Sequence, residues 1–249
     1  MFVDPESKEA AAAMAAVRTG DVETLKDLLS TNPQLSTAHF GTPSEGRTLL
    51  HILTDWPGQR PNCRETIQVL MDRGANIDAP FVGAHSETAL HWAASNDDVE
   101  SLDALLDHGA NIEARGGVVG DGTPLGDARV FLQLQAARRL IERGAVVTLD
   151  TAATLGLLER VEALCEAEPP LNREATDRAF WNACHGGQLP AARFLFARGA
   201  DPNAVPPWGT TPLDAATASK VQNDELVAWL ASKAGAETRE NKVTVDGGG

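Results

Sequence analysis

The sequence Thr-Ala-Leu-His-Trp-Ala-Ala at residues 88–94, followed by Gly-Ala-Asn-Ile-Glu-Ala at residues 109–114, decides the fold of this chain. The second phrase recurs as Gly-Ala-Asn-Ile-Asp-Ala at 74–79 and as Gly-Ala-Asp-Pro-Asn-Ala at 199–204, with shorter copies at 144–145 and 235–236. Gly74, Gly109 and Gly144 are 35 residues apart, and Gly199 and Gly235 are 36 apart. A self-similar period of this length is typical of a stacked array of repeats. The period therefore predicts one elongated array, an architecture that more often presents a binding surface than encloses a reaction.

Each copy carries the signals of a helix pair. Thr-Pro-Leu at 123–125 and at 211–213 starts a first helix, because Thr accepts a backbone N–H as N-cap and Pro tolerates the first helical position. Thr48 and Thr88 hold the same place in their copies. The second helix carries an apolar pair near its end, often with another apolar residue three positions earlier, which is the spacing of one buried face. The pairs are Leu28/Leu29, Leu70/Met71, Leu105/Leu106, Leu140/Ile141, Leu164/Cys165, Leu195/Phe196 and Trp229/Leu230.

The start and closing motifs resemble those of ankyrin repeats, in register over roughly residues 10–237. Whole-chain features, such as Asp-Trp-Pro-Gly at 55–58, are similar to a group of free-standing bacterial ankyrin repeat proteins. The resemblance implies an all-α ankyrin-repeat solenoid of about seven helix-turn-helix repeats, with short β-hairpin fingers and a concave groove. It places an ankyrin repeat domain at 1–238 and predicts a disordered polar tail at 239–249. The approximate units are 4–35, 46–80, 86–115, 121–146, 147–170, 176–204 and 209–237.

The composition of the chain limits the classes of partner, cofactor and cellular location that we expect. The chain has 249 residues and a formal net charge of −14, which argues against nucleic acid because a phosphate-binding surface needs clustered Lys and Arg. The three cysteines are far apart and no Cys-x-x-Cys occurs, so neither a disulfide framework nor a zinc site is predicted. No signal peptide is recognised, and the longest apolar run, at 10–17, is too short to cross a bilayer. We therefore expect a cytoplasmic monomer without metal or cofactor, with an unidentified protein partner. Its acidity more often marks a solvated surface than attraction of a basic partner, and both interpretations stay open.

The ankyrin resemblance also assigns a recognition surface. In that pattern, the two residues after the paired small residues of a first helix point into the groove, and the finger tips add to it. The predicted partner-binding residues on the helices are Asp55, Trp56, Ser95, Asn96 and His185, and those on the fingers are His85, Glu87 and Trp208, with Asp121 at another tip. Trp56, Phe131 and Trp208 would serve as aromatic anchors, since buried Trp residues often dominate binding energy at interfaces. Core packing is the alternative for Phe131, which lies in a Val-Phe-Leu run. The alternative for Trp56 is that it packs under its own inserted loop.

Two further hypotheses stay open. One is a small-molecule or peptide receptor, or an enzyme, with a pocket under the insertion at 56–63 and near Trp56. As an enzyme it would use His51 and Asp55, four residues apart on one helix, as an acid–base set with His185 across the groove. The other is an acidic decoy for a nucleic-acid enzyme, which only the charge supports. No nucleophile elbow, phosphate loop or metal spacing favours catalysis, so we expect none. The ankyrin pattern instead implies that His51 and His91 bridge neighbouring repeats.

Overall fold

The computed structural model describes residues 1–119, 122–167 and 169–243, and these form two compact units, Met1–Val146 and the residues from Val147 onwards. Helices of the first unit are α1 (Lys8–Thr19), α2 (Val22–Thr31), α3 (Leu49–Thr54), α4 (Cys63–Asp72), α5 (Ala89–Ser95), α6 (Val99–Asp107), α7 (Pro124–Val130) and α8 (Leu134–Glu142). Helices of the second unit are α9 (Leu149–Leu155), α10 (Leu158–Glu166), α11 (Arg173–His185), α12 (Leu189–Ala197), α13 (Pro212–Ala218) and α14 (Asp224–Val243).

Within each unit the helices are paired and stacked. In the first unit, α5 contacts α3 and α7 on either side and pairs with α6, while α4 lies between α2 and α6. In the second unit, α11 contacts α9 and α13 and pairs with α12. The described part of the chain is thus mostly helical, with paired helices consistent with ankyrin repeats. The number of repeats and the boundaries of the units stay predictions.

A small sheet that the motifs did not indicate lies at the start of the chain. Strand β1 (Phe2–Val3) pairs in parallel with β2 (His39–Thr42), and β2 pairs in antiparallel fashion with β3 (Glu45–Arg47). Single bridges, Gly46 to Val82 and Gly117 to Gly122, follow in the loops ahead of α5 and α7. The finger-tip residue Asp121 lies outside the described residues, so the fingers stay a prediction.

The core is built from small and aliphatic side chains, as the periodic spacing predicts. Leu29, Leu70, Leu105, Leu140 and Leu195, each from one of the apolar pairs, are fully buried. The residues three positions before a pair are fully buried as well: Leu25, Ile67, Leu102, Val161 and Leu226. Alanines fill the space between helices, so neighbouring helices approach closely. Burial of this one-sided stripe is what stabilises helices this short, because isolated helices of under about 12 residues are marginal in water.

Helix ends follow the motifs with one correction. Thr123 Oγ1 accepts the Gly126 N–H at 3.2 Å, and Thr211 Oγ1 accepts the Asp214 N–H at 3.1 Å. Gly74, at φ +79°, adopts the left-handed conformation expected after a helix. Asn32 does not, at φ −131° and ψ 64°, because the following Pro33 restricts the residue before it to extended conformations. Helix α14 continues past Gly235 to Val243, into the segment 239–249, of which 244–249 lie outside the described residues.

A side-chain ring N–H on the first helix of a pair donates a hydrogen bond to the main chain of the next helix pair. The Thr48 N–H donates to His51 Nδ1 at 3.3 Å, so Nε2 carries the ring proton and donates it to the Glu87 carbonyl at 2.9 Å. His91 Nε2 lies 3.1 Å from the Gly122 carbonyl. The bridging role implied for His51 and His91 is confirmed. Burial lowers the pKa of His51 to about 4, so the ring is neutral at pH 7.

Trp181 makes the equivalent bond in the second unit. Its Nε1–H donates to the Thr210 carbonyl at 3.0 Å. Each of the three acceptor carbonyls belongs to the residue directly before an N-cap threonine, namely Thr88, Thr123 and Thr211. The bond therefore fixes where the next first helix begins.

We expect His51→Ala to lower the free energy of unfolding by about 3 kcal/mol, because it opens a cavity and removes buried hydrogen bonds. His85→Ala, at an exposed loop position, is the matched control and should change stability by less than about 0.5 kcal/mol. Urea denaturation of the full chain followed by circular dichroism measures both. Equal stability of the two variants would show that the bridge to Glu87 does not hold the helix pairs together.

Candidate functional site

The loop that follows α3 presents the most exposed aromatic side chain among the described residues. Trp56 is 75% exposed, so the alternative that it packs beneath its own loop is wrong. Asp55 ends α3, and its two carboxylate oxygens are both occupied. Oδ1 accepts the Trp56 N–H at 3.0 Å, and Oδ2 accepts from Arg47 Nη1 at 3.0 Å. Asp55 therefore sets the direction in which the chain leaves the helix.

Neighbouring helix junctions hold this loop on both sides. On one side, Asn62 Nδ2 donates to the Gly20 carbonyl at 2.8 Å. On the other, the Gln59 N–H donates to Asp98 Oδ2 at 2.7 Å, while Asp98 Oδ1 accepts the Ser101 N–H at 3.1 Å as N-cap of α6. Asp98 is fully buried, so these charge-assisted bonds are shielded from water. The tryptophan is thus displayed from a fixed backbone, although sequence reasoning did not identify Asp98.

The predicted residues at the end of α5 support this loop. Asn96 Nδ2 donates to the Thr54 carbonyl at 2.7 Å, and its Cβ lies against Gly58. The neighbouring Ser95 is half-buried, and its carbonyl accepts from Gln133 Nε2 at 2.6 Å. The structure therefore brings Asp55, Trp56 and Asn96 together. Asn96 positions the loop as well as bordering it.

One finger residue needs a correction. His85 is exposed, as predicted for a tip, but Glu87 is only 7% exposed. Its carbonyl accepts both the His51 ring N–H and the Phe81 N–H, at 2.9 and 2.7 Å, which draws the residue inward. The ankyrin pattern places Glu87 at the finger tip together with His85.

In the second unit, His185 and Trp208 meet through Trp181. The His185 ring stacks on Trp181 with ring centroids 5.2 Å apart, and Trp208 makes an edge-to-face contact with Trp181 with centroids 5.0 Å apart. Trp208 is 45% exposed and borders a cavity of about 470 Å³. The remaining lining residues are Arg173, Glu174, Asp177, Arg178, Ala204, Val205, Pro206 and Pro207. The arrangement is an apolar surface rimmed by paired charges, such as Arg178 with Asp150 at 2.8 Å.

The proposed acid–base pocket under the insertion is not what the structure shows. His51 is fully buried, with Nδ1 and Nε2 both bonded inside the fold, and Asp55 is bound to Arg47. Burial also raises the pKa of the Cys63 thiol to about 11 and raises the pKa of Cys184, so neither is a poised nucleophile. His51 and Asp55 are structural because their polar atoms are already bonded within the fold. Cys63 and Cys184 are structural because they are buried and their thiols stay protonated.

Among the described residues, no helix is long and apolar enough to span a bilayer.

Comparison with known proteins identifies the repeat. The family model of the ankyrin repeat matches residues 85–117, which include the motif at 88–94. A protein of Oryza sativa subsp. japonica, the probable E3 ubiquitin-protein ligase XBOS34, is 39% identical over 67 residues, covering 27% of this chain and 12% of that protein. The B-cell lymphoma 3 protein homolog of Mus musculus is 34% identical over 71 residues, covering 28% and 14%. Ankyrin repeat and SOCS box protein 11 of Pongo abelii is 28% identical over 191 residues, covering 72% and 47%. The chain thus spans less than half the length of each of these relatives.

We expect Asp98→Ala to loosen the loop that carries Trp56. Losing a charge-assisted bond costs about 1.5–3 kcal/mol, so hydrogen exchange at the Gln59 amide should speed up by about tenfold or more. Asn172→Ala is the matched control, because Asn172 caps α11 in the other unit by accepting the Ala175 N–H at 2.8 Å. Mass spectrometry of the exchanged full chain reads out residues 55–62. Unchanged exchange there in Asp98→Ala would mean that other bonds hold the loop.

Proposed function

We propose that this ankyrin repeat-containing protein binds a protein partner, without catalysis, through the groove and finger surface that the ankyrin pattern assigns. The single observation that carries the proposal is Trp56, 75% exposed on a loop whose backbone is bonded to neighbouring helix junctions. Ankyrin repeats generally serve protein–protein interaction. An exposed tryptophan on a fixed backbone fits that role, because aromatic anchors supply much of the energy of an interface.

Preorganisation supports the same conclusion. The loop is already ordered by Asp55, Asn96 and Asp98, so docking requires little loss of backbone freedom. Arg60 Nη2 adds a bond to the Trp56 carbonyl at 3.1 Å. A partner with a pocket that encloses the Trp56 indole gains the free energy of burying it. The entropy lost on binding then comes mostly from the partner's own side chains. Mobile loops bind with a larger ordering cost.

The net negative charge of the chain contributes to the choice of partner, in addition to the Trp56 indole. Arg47 is bound to Asp55 at 3.0 Å and lies 5.5 Å from the centre of the Trp92 ring. Its charge is therefore neutralised locally, and the acidic balance of the chain, −14, dominates at longer range. We propose a basic protein partner, attracted by this field and held by aromatic contacts.

The surface of the second unit around Trp208 and His185 provides a separate contact for a protein partner. Pro206, Pro207 and Val205 add apolar area next to the indole, and Val205 is 60% exposed. Exposed apolar residues grouped in this way mark interaction surfaces more often than residues scattered singly. The enzymatic alternative has no comparable support, and the similarity to a probable ligase covers only 12% of that protein.

We expect Trp56→Ala to weaken partner binding by about 30-fold or more, because loss of an aromatic hot spot costs about 2 kcal/mol or more. Affinity capture from the native host's lysate, with the full chain as bait, identifies the partner, and titration of the purified pair measures the loss. Val146→Ala, which trims another exposed apolar side chain, is the control and should bind like the wild type.

Trp208→Ala tests the second unit in the same assay, with circular dichroism verifying that every variant is folded. A partner retained equally by wild type, Trp56→Ala and Trp208→Ala would contradict the proposed surface. If thermal shifts with metabolites appeared instead, the small-molecule receptor would replace it.

A further inference from the structure

We propose that the cavity bordered by Trp208 in the second unit receives an arginine side chain of the protein partner. The cavity has a volume of about 470 Å³ and is lined by the first turns of α11 and by residues 204–208. This assignment rests on the proposed function and names the chemistry of one of its two contacts. Three features of the described residues support it, namely a fixed indole, an apolar wall and a surplus of carboxylates.

The indole of Trp208 is held in place from two directions. Along the chain, the Gly209 N–H donates to the Pro206 carbonyl at 2.8 Å and closes a turn around residues 207–208. Across the unit, Trp208 packs edge-to-face on Trp181 with ring centroids 5.0 Å apart, and the Trp181 indole N–H is bonded to the loop ahead of α13. Because Trp208 is still 45% exposed, part of its ring surface is open to a ligand.

Apolar side chains form a wall of the cavity next to the indole. They belong to Ala204, Val205, Pro206 and Pro207. An arginine side chain fits such a wall, because its aliphatic stem packs on apolar surface while the guanidinium stays near water. Proline and valine side chains are stiff, so this wall loses little conformational freedom when a side chain packs against it.

The two arginines of the chain that line the cavity are bound by its own carboxylates. Arg178 Nε donates to Asp150 Oδ2 at 2.8 Å. Arg173 Nε lies 3.4 Å from Asp177 Oδ2, and Arg173 Nη2 lies 3.6 Å from Asp201 Oδ2. Neither guanidinium therefore opposes an incoming cation with an uncompensated positive charge.

Carboxylates outnumber guanidinium groups around the cavity. The ion pairs contain three carboxylates and two guanidinium groups, and Glu174, exposed on the first turn of α11, adds a fourth carboxylate. Four carboxylates against two guanidinium groups leave a surplus of two negative charges. This surplus attracts a cation, and the attraction should weaken with added salt because the groups adjoin solvent.

An indole beside a carboxylate suits a guanidinium better than an ammonium group. Among aromatic side chains, tryptophan forms the strongest cation–π interactions, and arginine is the more frequent cation in them. The guanidinium is planar and weakly hydrated, so it can stack on the Trp208 ring and still direct N–H groups towards a carboxylate such as Glu174. Lysine carries a compact, strongly hydrated charge and gains less from the same surface. An arginine of a basic partner is therefore the occupant that fits the cavity.

The test uses the full chain and short peptides of glycine and alanine that carry one central arginine, lysine or citrulline. Citrulline has the shape of arginine without its charge. We expect the arginine peptide to bind about fivefold more tightly than the citrulline peptide, and more tightly than the lysine peptide. An NMR titration that follows the amide resonances of Val205 and Gly209 measures each affinity. Added NaCl should reduce the difference between arginine and citrulline.

Variants of the cavity separate an aromatic contact from general stickiness. Trp208→Leu keeps apolar bulk but removes the aromatic ring, so it should abolish the preference for arginine over citrulline. Glu174→Gln should lower the affinity for the arginine peptide by about twofold or more. Glu159→Gln, at an exposed position of α10, is the matched control and should bind like the wild type. Circular dichroism verifies that each variant is folded.

Four results would overturn the assignment. They are no binding of the arginine peptide, equal affinity for the arginine and citrulline peptides, tighter binding of the lysine peptide, and an arginine preference that survives in Trp208→Leu. If one of these occurs while a captured protein still loses affinity for Trp208→Ala, the proposed function stands and another side chain occupies the cavity. If arginine is preferred but no captured protein depends on Trp56 or Trp208, the proposed function fails and the cavity binds a free guanidinium compound.

Discussion

A ring N–H that donates to the main chain of the following helix pair is the bond on which the arrangement within each unit depends. It replaces a hydrogen bond that the carbonyl before each N-cap threonine would otherwise make with water. Because that carbonyl belongs to the residue adjoining the helix start, the bond fixes both the position and the direction of the next first helix. His51 and His91 supply it in one unit and Trp181 in the other. Different side chains perform one task because only a ring N–H at the right height on the helix is needed.

The stacking that this bond fixes accounts for the burial of Glu87 and for the position of the Trp56 loop. The Glu87 carbonyl accepts from His51, and the residue that carries it is only 7% exposed. Likewise, stacking of one helix pair on the next places Asp98 where it can hold the Trp56 loop while it caps its own helix. Structural bonds of the repeat thus create one exposed feature and one buried feature. The exposed feature suits a protein partner.

The sequence predicted the helix pairs and the buried face well, because caps, glycine stops and apolar spacing act over a few residues. Leu25, Ile67 and Leu102 are buried as their spacing indicates. It also predicted the bridging histidines, through the resemblance to ankyrin repeats. It failed at Glu87, predicted at a finger tip, and at the supposed pocket of His51 and Asp55. In each case a bond to a residue eight or 36 positions away decided the orientation.

By itself, then, the sequence determined a chain of helix pairs with an Ala- and Leu-rich core and with threonine and glycine at the helix ends, since these follow from backbone geometry and local periodicity. Only the tertiary structure decided which side chains of the loops are displayed and which are enclosed. Trp56 is exposed because Asp98 and Asn62 hold its loop from two other junctions. Asp127 is buried, and a Cβ on Gly117, in the loop ahead of its helix, would lie only 2.6 Å from its carboxylate. Such contacts join residues that no local pattern relates, and their energies are settled only when the helix pairs are packed together.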